Sequence, residues 1–318
     1  MADPLVSVLI PTFNRPKWFR EALNSVLAQT YSNIEIVICD DSTNDDTERL
    51  IQKYLREFPQ IKYYHNETRL GQFDNDLKLF ERAQGEYINY LMDDDLFAPT
   101  KIEKMMAYFK NDKEEKLALI TSRRHIIDGN GKIQDDIPQT RPVFDRDMVI
   151  IGRCFADYMM GAGNCMGEPT TVLFRKKYLK EPFGTFAGRR YRCNVDMATW
   201  LNLLLEGDMI YIAEGLSYFR KHPEQQALSD KMLIGGTIDY FHMVLYGLQV
   251  GLLQESNYRH LAIERANLTL KYLFYMVPRI AADYPDDITE IMQLKLQLEK
   301  NEPVPIKNYN NSEMKQDL

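Results

Sequence analysis

Four short strand-like runs, Val6–Ile10, Ile34–Cys39, Ile61–His65 and Glu86–Met92, are each followed by a stretch with helical periodicity. No other feature constrains the fold as strongly. After the first run, Pro16 sits where a first helical turn accepts proline, and Trp18, Ala22 and Val26 share one face beside Phe19, Leu23 and Leu27. Helical patterns follow at Asp45–Phe58 and Gln72–Ala83, and Thr100 with Glu103 has the spacing of a capping box. Strands separated by helices predict an α/β domain with a mainly parallel, Rossmann-like sheet, whose ligands bind at the carboxyl ends of the strands.

Beyond residue 120 the pattern is less regular. A fifth strand is predicted at Leu117–Thr121, a turn between two short strands at Asp128–Lys132, and a helix at Asn194–Glu206. Two short strands, Met209–Ala213 and Leu216–Arg220, come next. From about Leu228 the pattern is helical, with segments at Tyr240–Leu253, Tyr258–Tyr275 and Ile288–Lys300. Residues 303–318, with two prolines and three asparagines, read as a flexible tail. The expected division is a sheet domain over 1–227, with a nucleotide-binding half (1–120) and an acceptor half (121–227), then a helical region over 228–302.

The net charge of -7 argues against a nucleic-acid backbone as the main partner. Cys39, Cys154, Cys165 and Cys193 show no C-x-x-C spacing, which fits a reducing compartment. No leader is expected, since Met1–Pro4 run straight into a strand-like segment, and the longest uncharged apolar stretch, Tyr240–Gln254, falls short of a membrane span. The expected location is the cytoplasm, with peripheral contact at the inner face of a membrane left open.

Four segments can carry chemistry. The Pro11-Thr12-Phe13-Asn14-Arg15 loop follows the first strand; it can offer backbone groups to a nucleoside and Arg15 to phosphate, or be only a strand-to-helix turn. Asp40 to Asp46 follows the second. A carboxylate there can accept the imide N–H of uracil, while Ser42, Asn44 or Asp45 can cap the next helix. Asp93-Asp94-Asp95 ends the fourth strand, where three adjacent carboxylates repel one another unless a hard cation such as Mg²⁺ or Mn²⁺ offsets the charge. Asp196 opens the helix carrying Trp200; it either complements the helix dipole or serves as a general base.

Taken in order, Val6–Arg15, Glu35–Thr43, Gly85–Asp95, Gly167–Thr170, Asp196 and Arg220–His222 resemble the family 2 inverting glycosyltransferases of GT-A fold, over roughly residues 5 to 225. The resemblance implies that Pro11, Thr12, Phe13 and Arg15 line a nucleotide and that Asp41 reads its base. It gives Asp93 and Asp94 to the nucleotide, Asp94, Asp95 and His222 to Mn²⁺ or Mg²⁺, and the role of base to Asp196. His222 is equally readable as a surface histidine after a strand. Arg69 is carried over to the nucleotide as the nearest basic residue, since the Ala-Arg-Asn of the third helix is replaced by Phe73-Asp74-Asn75. The Gln-x-x-Arg-Trp signature of processive polymerases is absent, so one sugar per encounter is implied, from a UDP-sugar to a saccharide or glycoconjugate acceptor. Should Asp196 not be the base, Glu168 and Asp157 stand next. Two other readings are a nucleotidyltransferase, disfavoured by the lack of glycine after the first strand, and a silent GT-A-like scaffold. The apolar C-terminal helices are expected to self-associate or to cover the acceptor side.

Overall fold

A computed structural model describes residues 3–138, 140–222 and 229–300. In chain order the elements are β1 (Val6–Thr12), α1 (Pro16–Leu27), β2 (Ile34–Asp40), α2 (Asp46–Glu57), β3 (Ile61–His65), α3 (Gln72–Arg82) and β4 (Tyr87–Tyr90). Then come β5 (Leu96–Phe97), α4 (Lys101–Asn111), β6 (Leu117–Asp128), β7 (Ile133–Gln134), β8 (Met148–Ile150), α5 (Gly152–Ala162) and β9 (Leu173–Arg175). The rest are β10 (Thr185–Phe186), β11 (Arg189–Arg190), α6 (Val195–Glu206), β12 (Asp208–Lys221), α7 (Asp230–Gln249), α8 (Ser256–Met276), α9 (Ile280–Asp283) and α10 (Pro285–Lys300).

Contacts divide the chain into two compact units. The first comprises Met1–Gly152, Cys165–Lys180 and Glu206–Pro223; the second comprises Arg153–Asn164, Glu181–Leu205 and Glu224–Leu318. This grouping differs from the expected break at 227: segments 153–164 and 181–205 group with the C-terminal helices. β6 also runs straight through the expected division at 120. The expected flexible tail lies outside the described residues.

The first unit is built on one sheet of order β3-β2-β1-β4-β9-β6-β12-β5, with β7 on β6 and β8 on β12. β3, β2, β1 and β4 are mutually parallel, and β6 is parallel to β12. β9 runs antiparallel to both β4 and β6, so the two parallel groups point the same way. The mainly parallel α/β sheet is therefore present. β1 is buried along its whole length, as expected for a strand covered on both faces. Val8, Ile10, Ile36 and Ile38 pack with Phe19, Leu23 and Ile51 from α1 and α2. Each such side chain stabilises the fold by about 1.5–3 kcal/mol.

Three differences from the sequence patterns have clear causes. The two strands expected at 209–220 are one strand, β12, with irregular register on either side of Gly215. A Cβ at Gly215 would lie 2.1 Å from His125 Nε2, so the glycine marks a close approach inside the strand, where it had looked like an end. Thr100 precedes α4 without capping it through its side chain, and the reciprocal half of the box is lost because Glu103 instead accepts from Thr30 Oγ1 at 2.6 Å. Asp45 likewise makes no side-chain cap on α2; Asn44 Oδ1 accepts from Asp46 N at 3.0 Å instead.

The second unit contains α5, the β10–β11 hairpin, α6 and helices α7 to α10. α7 begins ten residues before the expected Tyr240, with Ser229 Oγ accepting from Met232 N at its start. Helix α5 was not expected from periodicity; Gly161 and Gly163 at its end allow α8 to pack close, since a Cβ on Gly161 would meet Leu261 Cβ at 2.9 Å.

Candidate active site

Strand direction gathers the expected residues of the first unit at one edge of the sheet. β1 and β2 end level, with Thr12 paired to Asp40, and β12 ends beside β6, with Lys221 paired to Asp128. β5 turns back antiparallel to β12, pairing Leu96 with Tyr218, which carries the preceding triplet toward Arg220 and His222.

The loop after β1 turns at Asn14, whose φ of 54° is in the left-handed region that asparagine tolerates. Asn14 N then donates to Ser42 Oγ at 2.8 Å and Asn14 Oδ1 accepts from Thr43 N at 3.0 Å, latching two strand-end loops together. The Arg69 guanidinium lies 4.3 Å from the centre of the Phe13 ring. Next to them opens a polar cleft of about 570 Å³, lined by Asp41, Ser42, His65, Asn66 and Arg69 among others. Asp41 is buried, and its oxygens accept from Leu70 N at 2.8 Å, Gly71 N at 2.9 Å and Asn66 Nδ2 at 3.2 Å. A carboxylate has about four acceptor sites, so three such bonds leave room for one further donor. The anchoring of the 66–71 loop by Asp41 was not foreseen; adjacent carboxylates at a strand end carry no mark of it.

The three aspartates have separate environments. Asp93 Oδ2 accepts from Thr12 Oγ1 at 2.9 Å and Phe13 N at 3.2 Å, while Oδ1 lies 3.3 Å from Arg15. Burial, and after it the neighbouring Asp94, push its carboxyl up to about 7, against the pull of Arg15. Asp94 Oδ2 is 3.0 Å from Arg15 and 3.0 Å from His222 Nε2. Asp95, expected among the metal ligands, is fully buried with both oxygens taken up: Oδ1 by Arg220 N at 3.0 Å and Oδ2 by Thr170 Oγ1 at 2.6 Å. Burial, then Asp94 and Glu168, hold its carboxyl well above the usual range.

His222 is not a surface histidine. Its side chain is buried against Trp18, with ring centres 3.8 Å apart, and its Nδ1 has no partner among the described residues. Arg220, fully buried, donates from Nε to Asp94 O at 2.6 Å and pairs with Glu21 at 2.7 Å, fixing the backbone of the triplet. Neither Trp18 nor Thr170 was singled out as a site residue beforehand.

Among the described residues, no group of three or more His, Cys, Asp or Glu side chains is arranged to hold a metal. Asp94 and His222 nonetheless fit one. Two ligands at the roughly 2.0–2.1 Å of an octahedral divalent ion stand about 3 Å apart on an octahedron's edge. The 3.0 Å between Asp94 Oδ2 and His222 Nε2 matches that edge. A mixed oxygen and nitrogen pair suits Mn²⁺ better than the harder Mg²⁺.

Glu168, from the segment before β9, joins the same cluster. Its Oε2 is 2.9 Å from Arg124 Nε, and its buried Oε1 has no hydrogen-bond partner among the described residues. Burial raises its pKa, with Arg124 working in the opposite direction. Fully buried Lys101 donates to Thr171 O at 2.8 Å; burial pulls its pKa well down.

Asp196 belongs to the second unit. It stands in the first turn of α6, half-buried, where Oδ2 accepts from Asn164 Nδ2 at 2.6 Å and Oδ1 from Met197 N at 2.7 Å. Asp157, the other reserve base, has Oδ1 accepting from Leu253 N at 2.7 Å, which ties α5 to the loop after α7.

The profile of glycosyl transferase family 2 matches residues 7–183. An uncharacterized glycosyltransferase of Nostoc sp. is 27% identical over 284 residues, 80% of this chain and 81% of that protein. A Bacillus subtilis protein named for teichuronic acid biosynthesis, the glycosyltransferase TuaG, is 27% identical over 208 residues, 65% of this chain and 75% of that protein. Among solved structures, Staphylococcus aureus TarS (residues 1–349) in complex with UDP-GlcNAc superposes with a TM-score of 0.58 at 16% identity, over 94% of this chain and 92% of that one. The mannosyltransferase PcManGT of Pyrobaculum calidifontis, in complex with GDP-Man and Mn²⁺, gives 0.53 at 12% identity, over 96% and 78%. The fold is thus that of the GT-A glycosyltransferases, and the nucleotidyltransferase and scaffold readings give way. With more than half of its length matched by the family profile, the chain belongs to glycosyl transferase family 2 and is a glycosyltransferase.

Proposed function

We infer that this enzyme transfers a sugar from a UDP-sugar to a hydroxyl of a saccharide or glycoconjugate acceptor, in polysaccharide synthesis, with inversion at the anomeric carbon. The observation carrying this reading is the convergence of Arg15 and His222 on Asp94 at the carboxyl edge of the sheet, beside the polar cleft floored by Asp41. Arg15 offers positive charge to a diphosphate. Asp41 keeps one acceptor site for the uracil imide, and Phe13 with Arg69 walls the base. Asp94 and His222 would hold Mn²⁺, which when bound takes up negative charge on a departing diphosphate. Asp196 removes the acceptor proton, and its bonds from Asn164 and Met197 N hold the carboxylate in one rotamer. TarS in complex with UDP-GlcNAc supports a UDP-sugar, and the TuaG name supports a cell-surface polymer as product.

A second assignment of the base rests on one observation: Glu168, inside the acidic cluster, keeps a buried oxygen without a hydrogen-bond partner among the described residues. Calorimetry with UDP, GDP and dTDP, with Mn²⁺ and with chelator, tests the donor side. The reading expects UDP and dTDP to bind more tightly than GDP, and chelator to weaken binding by at least about tenfold. A clear GDP preference would remove the role given to Asp41, and equal affinity in chelator would remove the metal.

A further inference from the structure

The second unit holds a cleft of about 510 Å³ that no step above uses. Its floor is apolar, with Leu233, Tyr240 and Leu273, and its wall carries the exposed Leu268 and Tyr272 of α8. Among the residues lining it, Arg265 alone is charged. Two lining residues, Asn164 and Met197, are the donors that hold the Asp196 carboxylate. The cleft therefore begins where the assigned base is positioned.

This cleft is built, and not a chance gap between helices. Buried Asp239 of α7 accepts from the backbone N–H groups of Arg192, Cys193 and Asn194 at 2.9, 2.8 and 3.2 Å, clamping the segment before α6. Asn194 Nδ2 donates to Gly236 O at 3.0 Å. Gly163, with φ +85°, leaves room for the Arg265 guanidinium: a Cβ there would stand 2.8 Å from Arg265 Nη2. Arg265 has no ion pair or hydrogen bond among the described residues.

Resting on the glycosyltransferase reading, we propose that this cleft is the acceptor subsite and that it takes a saccharide bearing an anionic group. The apolar C–H face of a sugar ring packs on Tyr272 and Leu268, as such faces do on aromatic rings. Arg265 forks onto the anion, and its planar donors suit a phosphate or a carboxylate.

The test is ligand-observed NMR on the full chain saturated with UDP, titrating methyl glucoside, methyl glucuronide and glucose 6-phosphate. The two charged probes should bind at least about fivefold more tightly than the neutral one, and their ratio tells carboxylate from phosphate. Arg265→Gln should bring all three within about twofold, and Arg265→Lys, which keeps the charge and loses the fork, should keep only part of the gap. Tyr272→Ala should weaken all three together. Equal binding of charged and neutral probes by the unaltered protein, no binding of any, or a gap surviving Arg265→Gln overturns the proposal while UDP binding stands. Failure to bind UDP brings down the donor reading and this proposal with it.

Discussion

Asp93, Asp94 and Asp95 are consecutive, yet they hold a loop, face an arginine and a histidine, and brace a strand end, respectively. Successive side chains at a strand terminus diverge, so adjacency in sequence says little about shared work. The presence of a site was legible in the run of acids after an apolar strand; the division of labour was not, because Thr170 and Arg220 lie 75 and 125 residues away. A bracing role for Asp95 and a catalytic one for Asp196 separate experimentally. Asp95→Ala strands the Arg220 N–H and the Thr170 hydroxyl, and should lower unfolding free energy by about 1–3 kcal/mol in urea titrations. Asp196→Asn should leave UDP affinity near that of the unaltered enzyme while turnover falls about 10²–10⁴-fold. Retention of more than about a tenth of the rate, with chemistry limiting, would move the base to Glu168, and Glu168→Gln would then show the loss.

Up to residue 111 the strands and helices other than β5, which no pattern foretold, were legible to within a residue or three, because buried parallel strands and amphipathic helices carry distinct periods. Of the later ones, α6, α8 and α10 were equally legible, whereas β12, α5 and the start of α7 were not. β12 hides its continuity behind Gly215, and α5 ends in a glycine turn shaped by the close approach of α8. Between elements, the sheet is tied by a buried carboxylate that no periodicity reveals. Glu35 of β2 accepts from Ser7 of β1, from Lys62 of β3, and from the backbone of Gln84 and Gly85 ahead of β4. These partners hold its pKa below the usual carboxylate range in spite of burial, the largest single influence, which acts upward. A depressed folded pKa contributes stability that is present above the unfolded value near 4.3 and lost as pH falls through the folded one. Urea unfolding from pH 6 down to pH 3 should therefore show a loss of stability below about pH 4.3, and Glu35→Gln should flatten that limb. An unchanged acid limb in the variant would show that the carboxylate contributes no such linkage. Gly85 belongs to the same junction. A Cβ there would lie 2.6 Å from Ser7 Oγ and 2.8 Å from Leu5 O, so Gly85→Ala should cost about 1–3 kcal/mol in the same titration.

For the whole molecule, no helix among the described residues is long and apolar enough to cross a membrane. The C-terminal helices leave large apolar side chains exposed: Phe274, Tyr275 and Met276 on α8, with Met292 and Leu296 on α10. Exposed apolar patches of this kind mark association surfaces, so the full chain is expected to self-associate through them. Light scattering across micromolar concentrations checks this, and a strict monomer throughout would sink it. The central claim, that a UDP-sugar is consumed at the acidic edge of the sheet, is tested most directly by nucleotide release. UDP-GlcNAc, UDP-glucose, UDP-galactose and GDP-mannose would be offered with Mn²⁺ to the unaltered protein and to Asp94→Asn. The account predicts UDP release from at least one UDP-sugar, falling at least about 100-fold in the variant. Release from GDP-mannose alone, release from none, or undiminished release by Asp94→Asn would contradict it.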